Sequence, residues 1–246
     1  MIILPIKISP LVPPKDSLID KLERVLPALQ EEDILVITSK VVSISEGSVL
    51  PIEGTDKEDL IRSEADWYLD SPTFSHWRKK FTIKSGAFVG SAGVDESNGN
   101  GYYVLYPRAP FKTAQQLRAY FRRRDNLKKL GIIITDSTSM PLRRGALGFA
   151  LAWYGIDPLR DYRGRPDIFD RPMRIELANL VDALAAACVF VMGEGAEQTP
   201  VAIVRNAPGV KFKERSKQLD QLILSPDNDL FAPLFFKPFK WRRRKE

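Results

Sequence analysis

Residues 131–148, GIIITDSTSMPLRRGALG, are the stretch on which the reading of the whole chain turns. Gly131-Ile132-Ile133-Ile134 is a short unbroken apolar run, which predicts a buried strand ending at Thr135. A carboxylate, Asp136, follows at once. Two hydroxyls, Ser137 and Thr138, come next, then Pro141 and the pair Arg143-Arg144. An acid where a strand ends, with hydroxyls beside it and arginines a few residues on, suits a metal-bound phosphate. The acid holds a hard cation through oxygen, and guanidinium forks grip phosphate or carboxylate. The plainer alternative is a strand followed by a polar turn whose aspartate caps the next element.

Outward from this stretch, apolar runs alternate with polar punctuation. Residues 2–8 are a strand candidate, and Pro10, Pro13 and Pro14 stiffen the loop that follows. Asp16-Ser17 can cap a helix over about 18–29, with Leu18, Leu22, Val25 and Leu26 on one face and Pro27 kinking or ending it. Residues 33–37 form a second buried strand that closes on Thr38-Ser39-Lys40. A lysine there can reach phosphate, although lysines at strand ends are commonly just solvated. Residues 41–46 continue to a turn at Gly47. A helix is predicted over 56–69, a loop with a short helical turn over 71–80, and a strand or hairpin arm over 81–90.

Residues 91–101, SAGVDESNGNG, fit neither the P-loop pattern GxxxxGK(S/T) nor a GxGxxG opening a helix. They read as a hairpin loop, or as the source of a second acid, Asp95, brought beside Asp136. A strand follows over 101–106. Residues 113–129 read as a basic amphipathic helix, with Leu117, Tyr120 and Phe121 inward and Arg118, Arg122, Arg123 and Arg124 outward. Residues 146–154 are a strand or other buried segment, 157–172 a charged loop, and 173–192 a long apolar helix stopped by Gly193-Glu194-Gly195. A strand over 201–204, a short helix over 215–224 and an irregular tail complete the chain.

Composition closes several routes. The chain has 246 residues, 44% hydrophobic and 28% charged, enough for a sizeable core. Lys and Arg exceed Asp and Glu by 37 − 31 = 6, but residues 236–246 alone carry six basic side chains and one acidic one. The body is therefore near neutral, so the sequence pI of about 9.3 is weak evidence for a nucleic-acid face. The single cysteine, Cys188, excludes an internal disulfide framework and a Cys-based zinc site, and its run ALAAACVFVMG marks it as a buried hydrophobe. The single histidine, His76, has no catalytic partner nearby in sequence. MIILPIKI is too short for a secretory signal, and no run of 18 apolar residues exists. A cytoplasmic enzyme without a membrane span is expected.

Five stretches taken together carry a resemblance. DILVITSKVVSISEG, FVGSAGVDESN, GIIITDS…RRGALGFA, RDYRGRPDIFDR and AAACVFVMGEGAEQTPVAIVR stand in the order and spacing of the coenzyme F420-0:γ-glutamyl ligases, and together they cover most of the chain, from Pro5 to about Arg205. The resemblance implies an α+β fold with two interleaved subdomains in residues 1–225, followed by a basic tail over 226–246. It implies an interwoven homodimer whose groove holds the active site. It implies GTP (or ATP), Mg²⁺ or Mn²⁺, a monovalent cation such as K⁺ as a further candidate, and L-glutamate joined to a terminal carboxylate. Carried over by residue, it puts divalent metal on Asp95, Asp136, Ser137 and Glu194. It puts nucleotide contacts on Ser9, Pro10, Leu11 and Val12, on Ser39 and Lys40, on Asn98, and along the loop over 192–199, which starts Met192, Gly193, Glu194, Gly195. Oxygen-only ligands suit Mg²⁺ or Mn²⁺ better than zinc.

The reaction implied is phosphoryl transfer to the acceptor carboxylate, then attack of the glutamate amine on the acyl phosphate, with the protein positioning and neutralising charge. Arg143 and Arg144 are candidates to bind acceptor or glutamate carboxylates, and Asp167 and Glu96 are candidates for the base. The chain departs from the family pattern at Ile44, where lysine is usual, and at Ser139-Met140, where Gly-Arg is usual. It departs again at Ser91 for Asn, Asp170 for Gly, and Glu176 for Thr. The changes at Ser139 and Met140 imply a shifted acceptor, with a folate as the alternative to F420-0. Two rivals are a related carboxylate–amine ligase with another acceptor, and a nucleic-acid module. The latter would use Lys237, Lys240, Arg242, Arg243, Arg244 and Lys245 around Trp241, with steep salt dependence.

Overall fold

The computed structural model describes residues 1–69, 80–214, 222–225, 228–235 and 240–243. In chain order the elements are β1 (Ile2–Ile6), α1 (Leu18–Glu23), β2 (Asp33–Thr38), α2 (Ser39–Glu46), β3 (Val49–Pro51), α3 (Lys57–Glu64) and β4 (Trp67–Leu69). Then come β5 (Phe81–Lys84), β6 (Ala87–Gly90), β7 (Tyr102–Val104), α4 (Pro110–Arg124), β8 (Leu130–Ser139), β9 (Ala146–Tyr154), β10 (Leu159–Asp161) and β11 (Leu177–Asn179). The last are α5 (Leu180–Met192), β12 (Val201–Arg205), α6 (Ala232–Phe235) and β13 (Trp241–Arg243). The fold is α+β, as the sequence implies.

The main sheet has the order β1-β12-β2-β8-β9. β2 and β8 run parallel, from Asp33 opposite Leu130 to Thr38 opposite Thr135, and the other neighbours pair antiparallel. The central strands are continuous apolar runs because both faces are covered. Leu35, Ile37, Ile132 and Ile134 join Leu22, Val42, Leu117 and Phe121 from α1, α2 and α4. The alternate residues Ile34, Val36 and Ile133 join Val181, Leu184, Cys188 and Val189 from α5. Each such side chain, fully buried, stabilises the fold by about 1.5–3 kcal/mol. Gly148 lets α5 settle on β9, since a Cβ there would lie 2.6 Å from Val189 Cγ2 and 2.8 Å from the Ala185 carbonyl oxygen. Cys188 is buried as expected, and burial pushes its thiol up to about 12.

A smaller antiparallel sheet, β13-β4-β5-β6, lies beside a β3–β7 pair. Leu60, Ile61 and Ala65 around α3 pack against Ala92, Val94 and Tyr103. β8 ties the two parts together: the Thr138 hydroxyl donates to the Phe88 carbonyl of β6 at 2.9 Å.

Several expectations need correction. Residues 39–46 are the helix α2, closed by Gly47 at φ 71°, because burial of Val41, Val42 and Ile44 overrides the strand preference of β-branched residues. α1 stops at Glu23, and α3 ends at Glu64 so that 67–69 can enter the small sheet. The long apolar helix begins only at Leu180, capped by Asn179, whose side chain accepts from the Asp182 N–H. β8 does not stop at Thr135. It runs to Ser139, so Asp136, Ser137 and Thr138 are strand residues paired with Phe149, Gly148 and Leu147. Arg118 faces inward, 4% exposed, with its Nε donating to the Leu130 carbonyl at 2.8 Å. The tail is not irregular throughout: β13 pairs with β4, and Trp241 stacks edge-on against Phe88. His76 and residues 215–221 lie outside the described residues. Among those described, no helix is long and apolar enough to cross a membrane.

Candidate active site

A cavity of about 310 Å³ opens where the parallel pairing of β2 and β8 ends, with Thr38 and Thr135 in its wall. Its apolar lining comes from both faces of the sheet: Ile8, Leu11, Val41 and Ile44 from one core cluster, Val189 and Met192 from the other. Its polar lining is acidic and includes Asp95, Asp136, Ser137, Glu194 and Glu197, together with the Lys40 ammonium. Such a crevice at the carboxyl ends of parallel strands is where α/β sheets commonly place ligands.

Each polar group reaches the cavity for a local reason. Lys40 stands in the first turn of α2, directly after β2, and Ile44 is one helical turn further along the same face. Its ammonium lies 2.7 Å from Asp95 Oδ2. Asp95 is held in the loop before β7 by a bridge to Val104. Burial raises its carboxyl, but the Lys40 ammonium and the Ser97 N–H and hydroxyl outweigh burial and lower it on balance. Asp136 is half-buried just beyond the last β2–β8 pair. Burial, followed by the repulsion of Asp95, raises its carboxyl to about 6, against the opposing pull of Tyr106, the Ser137 N–H and Lys40. Burial and the Asp136 charge in turn push the Tyr106 hydroxyl well above its ordinary range. Gly93, at φ 73°, makes room for the Tyr106 ring: a Cβ there would lie 2.2 Å from Tyr106 Cε1. Ser137 Oγ donates to Glu194 Oε2 at 3.2 Å. Past α5, Gly195 N–H donates to Glu197 Oε2 at 2.8 Å, and Asn98 Nδ2 donates to the Gly195 carbonyl at 3.4 Å.

The chain therefore gathers most of the residues singled out from its sequence. Asp95, Asp136, Ser137, Glu194, Lys40, Asn98, Pro10, Leu11, Met192, Gly193 and Gly195 all line the cavity. Ser9, Val12 and Ser39 adjoin it without lining it. Arg143 and Arg144 do not reach it: they sit exposed in the turn joining β8 to β9, carried outward because β8 continues past Asp136. Ser139 and Met140 go with them, so within one chain they do not touch the cavity. Ser97 and Tyr106 are not singled out by the sequence, whereas Glu197 falls in the loop over 192–199 that the resemblance assigns to nucleotide. Ser97 lies in the same glycine-bearing loop as Asp95, which was the available signal.

The acidic side suits a hard divalent cation in kind: two carboxylates that feel each other's charge, a hydroxyl and a third carboxylate, all oxygen. A cation would also relieve the unfavourable ionisation of Asp136. Among the described residues no three His, Cys, Asp or Glu side chains converge into a ready-made metal cluster. Asp95 is engaged by Lys40, and Glu194 by Ser137.

The site is an acidic crevice with one lysine, set at the ends of a parallel strand pair. The sequence profile of the F420-0:gamma-glutamyl ligase family matches residues 7–206, and the chain belongs to that family. It is 31% identical over 219 positions to the coenzyme F420:L-glutamate ligase of Methanopyrus kandleri, covering 82% of this chain and 86% of the relative. It is 33% identical over 217 positions to the enzyme of that name from a Methanococcus maripaludis strain, covering 82% and 86%. With the one from Methanosarcina acetivorans the identity is 34% over 191 positions, covering 72% and 75%. All the residues lining the cavity fall inside the matched span.

Proposed function

We propose that this chain joins the amine of L-glutamate to the terminal carboxylate of an acceptor, with GTP as phosphoryl donor. The acceptor carboxylate oxygen attacks the γ-phosphorus, the bond to the β-phosphate oxygen breaks, GDP leaves, and an acyl phosphate results. The glutamate nitrogen then attacks the acyl carbon, phosphate leaves, and the amine proton passes to a base or to solvent. Asp95, Asp136, Ser137 and Glu194 would hold Mg²⁺ or Mn²⁺, which neutralises charge on the transferring phosphoryl group. Lys40 and the N-terminus of α2 would receive phosphate oxygens, since free backbone N–H groups there favour anions. The apolar lining residues, among them Ile8, Ile44 and Met192, would take the flat base and exclude water. The observation that carries this reading is the pairing of an acidic oxygen cluster with Lys40 in one cavity inside the span that defines the family.

F420-0 is the acceptor we favour, because the family's description names it, the relatives' names specify coenzyme F420, and Ser139 and Met140 lie outside the cavity. A folate is the comparison arm. Purified protein with glutamate, Mg²⁺ and GTP or ATP is offered each acceptor, and products are read by mass spectrometry. A gain of one glutamyl unit on F420-0 is expected. Nucleotide-independent product, or none on either acceptor, would refute the reading.

We also propose a homodimer. Leu142, Ile168, Phe169, Ile175 and Phe190 are large apolar side chains between 74% and 105% exposed. They lie on the β8–β9 turn, on the segment between β10 and β11, and on α5, an extent of bare surface that a second copy would cover. Arg143 and Arg144 share that turn, which would place them at the interface between copies.

A further inference from the structure

Lys40 is bound more fully than a solvated strand-end lysine. Its ammonium pairs with Asp95 Oδ2 at 2.7 Å and donates to the Ser97 carbonyl and hydroxyl, both at 2.8 Å. Ser97 closes on the same carboxylate, its N–H donating to Oδ1 at 2.8 Å and its hydroxyl to Oδ2 at 2.9 Å. An ionised carboxylate has about four lone-pair positions, and three of them are taken here. Among the described residues lining the cavity, Lys40 is the one with a cationic side chain, against four carboxylates. Its charge also acts on Asp136.

Two properties make this bond exchangeable. The ammonium is a compact charge on a flexible stem, so it can re-aim by a few ångströms with no change of backbone. It also stands at the start of α2, where an arriving phosphate is favoured by the helix terminus. Conversely, a divalent cation approaching Asp95 meets a like charge a few ångströms away, which opposes it strongly in a half-buried site.

We propose that Lys40 is an exchangeable counter-ion: it occupies Asp95 until nucleotide phosphates draw the ammonium away, and the freed carboxylate then takes the cation that arrives with the nucleotide. This rests on the assignment of Asp95 and Asp136 to the cation site. Its consequence is an order of loading. The protein takes up cation and nucleotide together and binds the cation weakly by itself.

The test is a Mn²⁺ titration of the full chain, with free Mn²⁺ read by electron paramagnetic resonance, for wild type, Lys40→Met, Lys40→Arg and Asp136→Asn. It is run without nucleotide and with GDP. Lys40→Met is expected to tighten Mn²⁺ binding without nucleotide by roughly tenfold or more. Lys40→Arg keeps the charge and stays near wild type. GDP strengthens Mn²⁺ binding to wild type and does so far less in Lys40→Met, while Asp136→Asn weakens it throughout. If Lys40→Met leaves Mn²⁺ affinity unchanged or lowers it while Asp136→Asn abolishes binding, Lys40 merely braces Asp95 and the exchange is overturned. If Asp136→Asn leaves Mn²⁺ binding intact, the cation site lies elsewhere, and the metal assignment falls together with the exchange.

Discussion

Replacing Asp136 by asparagine should stabilise the protein at alkaline pH and do little at acid pH. The carboxyl is raised from 3.8 to about 6, first by burial and then by Asp95. A raised carboxyl favours the folded state when protonated. Its contribution is therefore fully present below about pH 4 and is lost as pH rises through 6. A shift of about two units corresponds to about 3 kcal/mol, since each unit is worth about 1.4 kcal/mol. Asparagine keeps an acceptor oxygen for the Ser137 N–H and the Tyr106 hydroxyl and carries no charge to desolvate. In EDTA, urea unfolding followed by the fluorescence of buried Trp153 should show Asp136→Asn more stable than wild type by up to about 3 kcal/mol at pH 8, with the gap narrowing below about pH 6 and nearly closed by about pH 3.5. Excess Mn²⁺ at pH 8 should reverse the order, because only the carboxylate gains a ligand. A gap that does not change with pH, or a variant less stable than wild type at pH 8, would show that Asp136 is not held in an unfavourable ionisation state.

Two further outcomes are expected. Arg118→Met should lower stability by about 2–4 kcal/mol in the same urea assay, because the Leu130 carbonyl loses the donor at 2.8 Å and the Lys213 carbonyl loses the one at 3.3 Å; a loss below about 0.5 kcal/mol would mean that the guanidinium is not needed there. Sedimentation equilibrium at micromolar concentration should give twice the chain mass, and Phe190→Glu should shift it toward the monomer; a wild-type monomer would leave the exposed apolar surface to another partner.

How far the sequence could be read depended on the range of the forces involved. The runs 33–37 and 131–134 were legible as buried strands because their burial is uniform on both faces. α2 was not, because Val41, Val42 and Ile44 carry the local preference of a strand and become helical through tertiary packing. Arg118 looked like part of a solvated face. It turns inward because Gly155, at φ 84°, leaves a space in which a Cβ would lie 2.4 Å from its Nε, and no helical periodicity encodes that. Two departures from the family pattern acquire a physical sense. Ser91 and Asp170, where Asn and Gly are usual, both adopt positive φ, 56° and 61°. Small or short polar residues tolerate that region, so these changes bear on the backbone more than on the acceptor. The acids of the site were individually visible. The Lys40–Asp95 pair was not, since Lys40 opens the long crossover between β2 and β8 and Asp95 lies deep inside it, far away in sequence.

The place of β12 in the main sheet bears on how the chain is made. β12 lies between β1 and β2 and pairs with both. The two N-terminal strands leave the ribosome early, yet neither can gain this neighbour until residues 201–205 have emerged. Through most of synthesis one edge of β2, the run DILVIT, has open hydrogen-bonding groups and an apolar surface, the combination that invites pairing between chains. A chain cut short before Val201 would be left with that edge permanently open, so premature termination late in the message should yield insoluble fragments in place of a partly active domain.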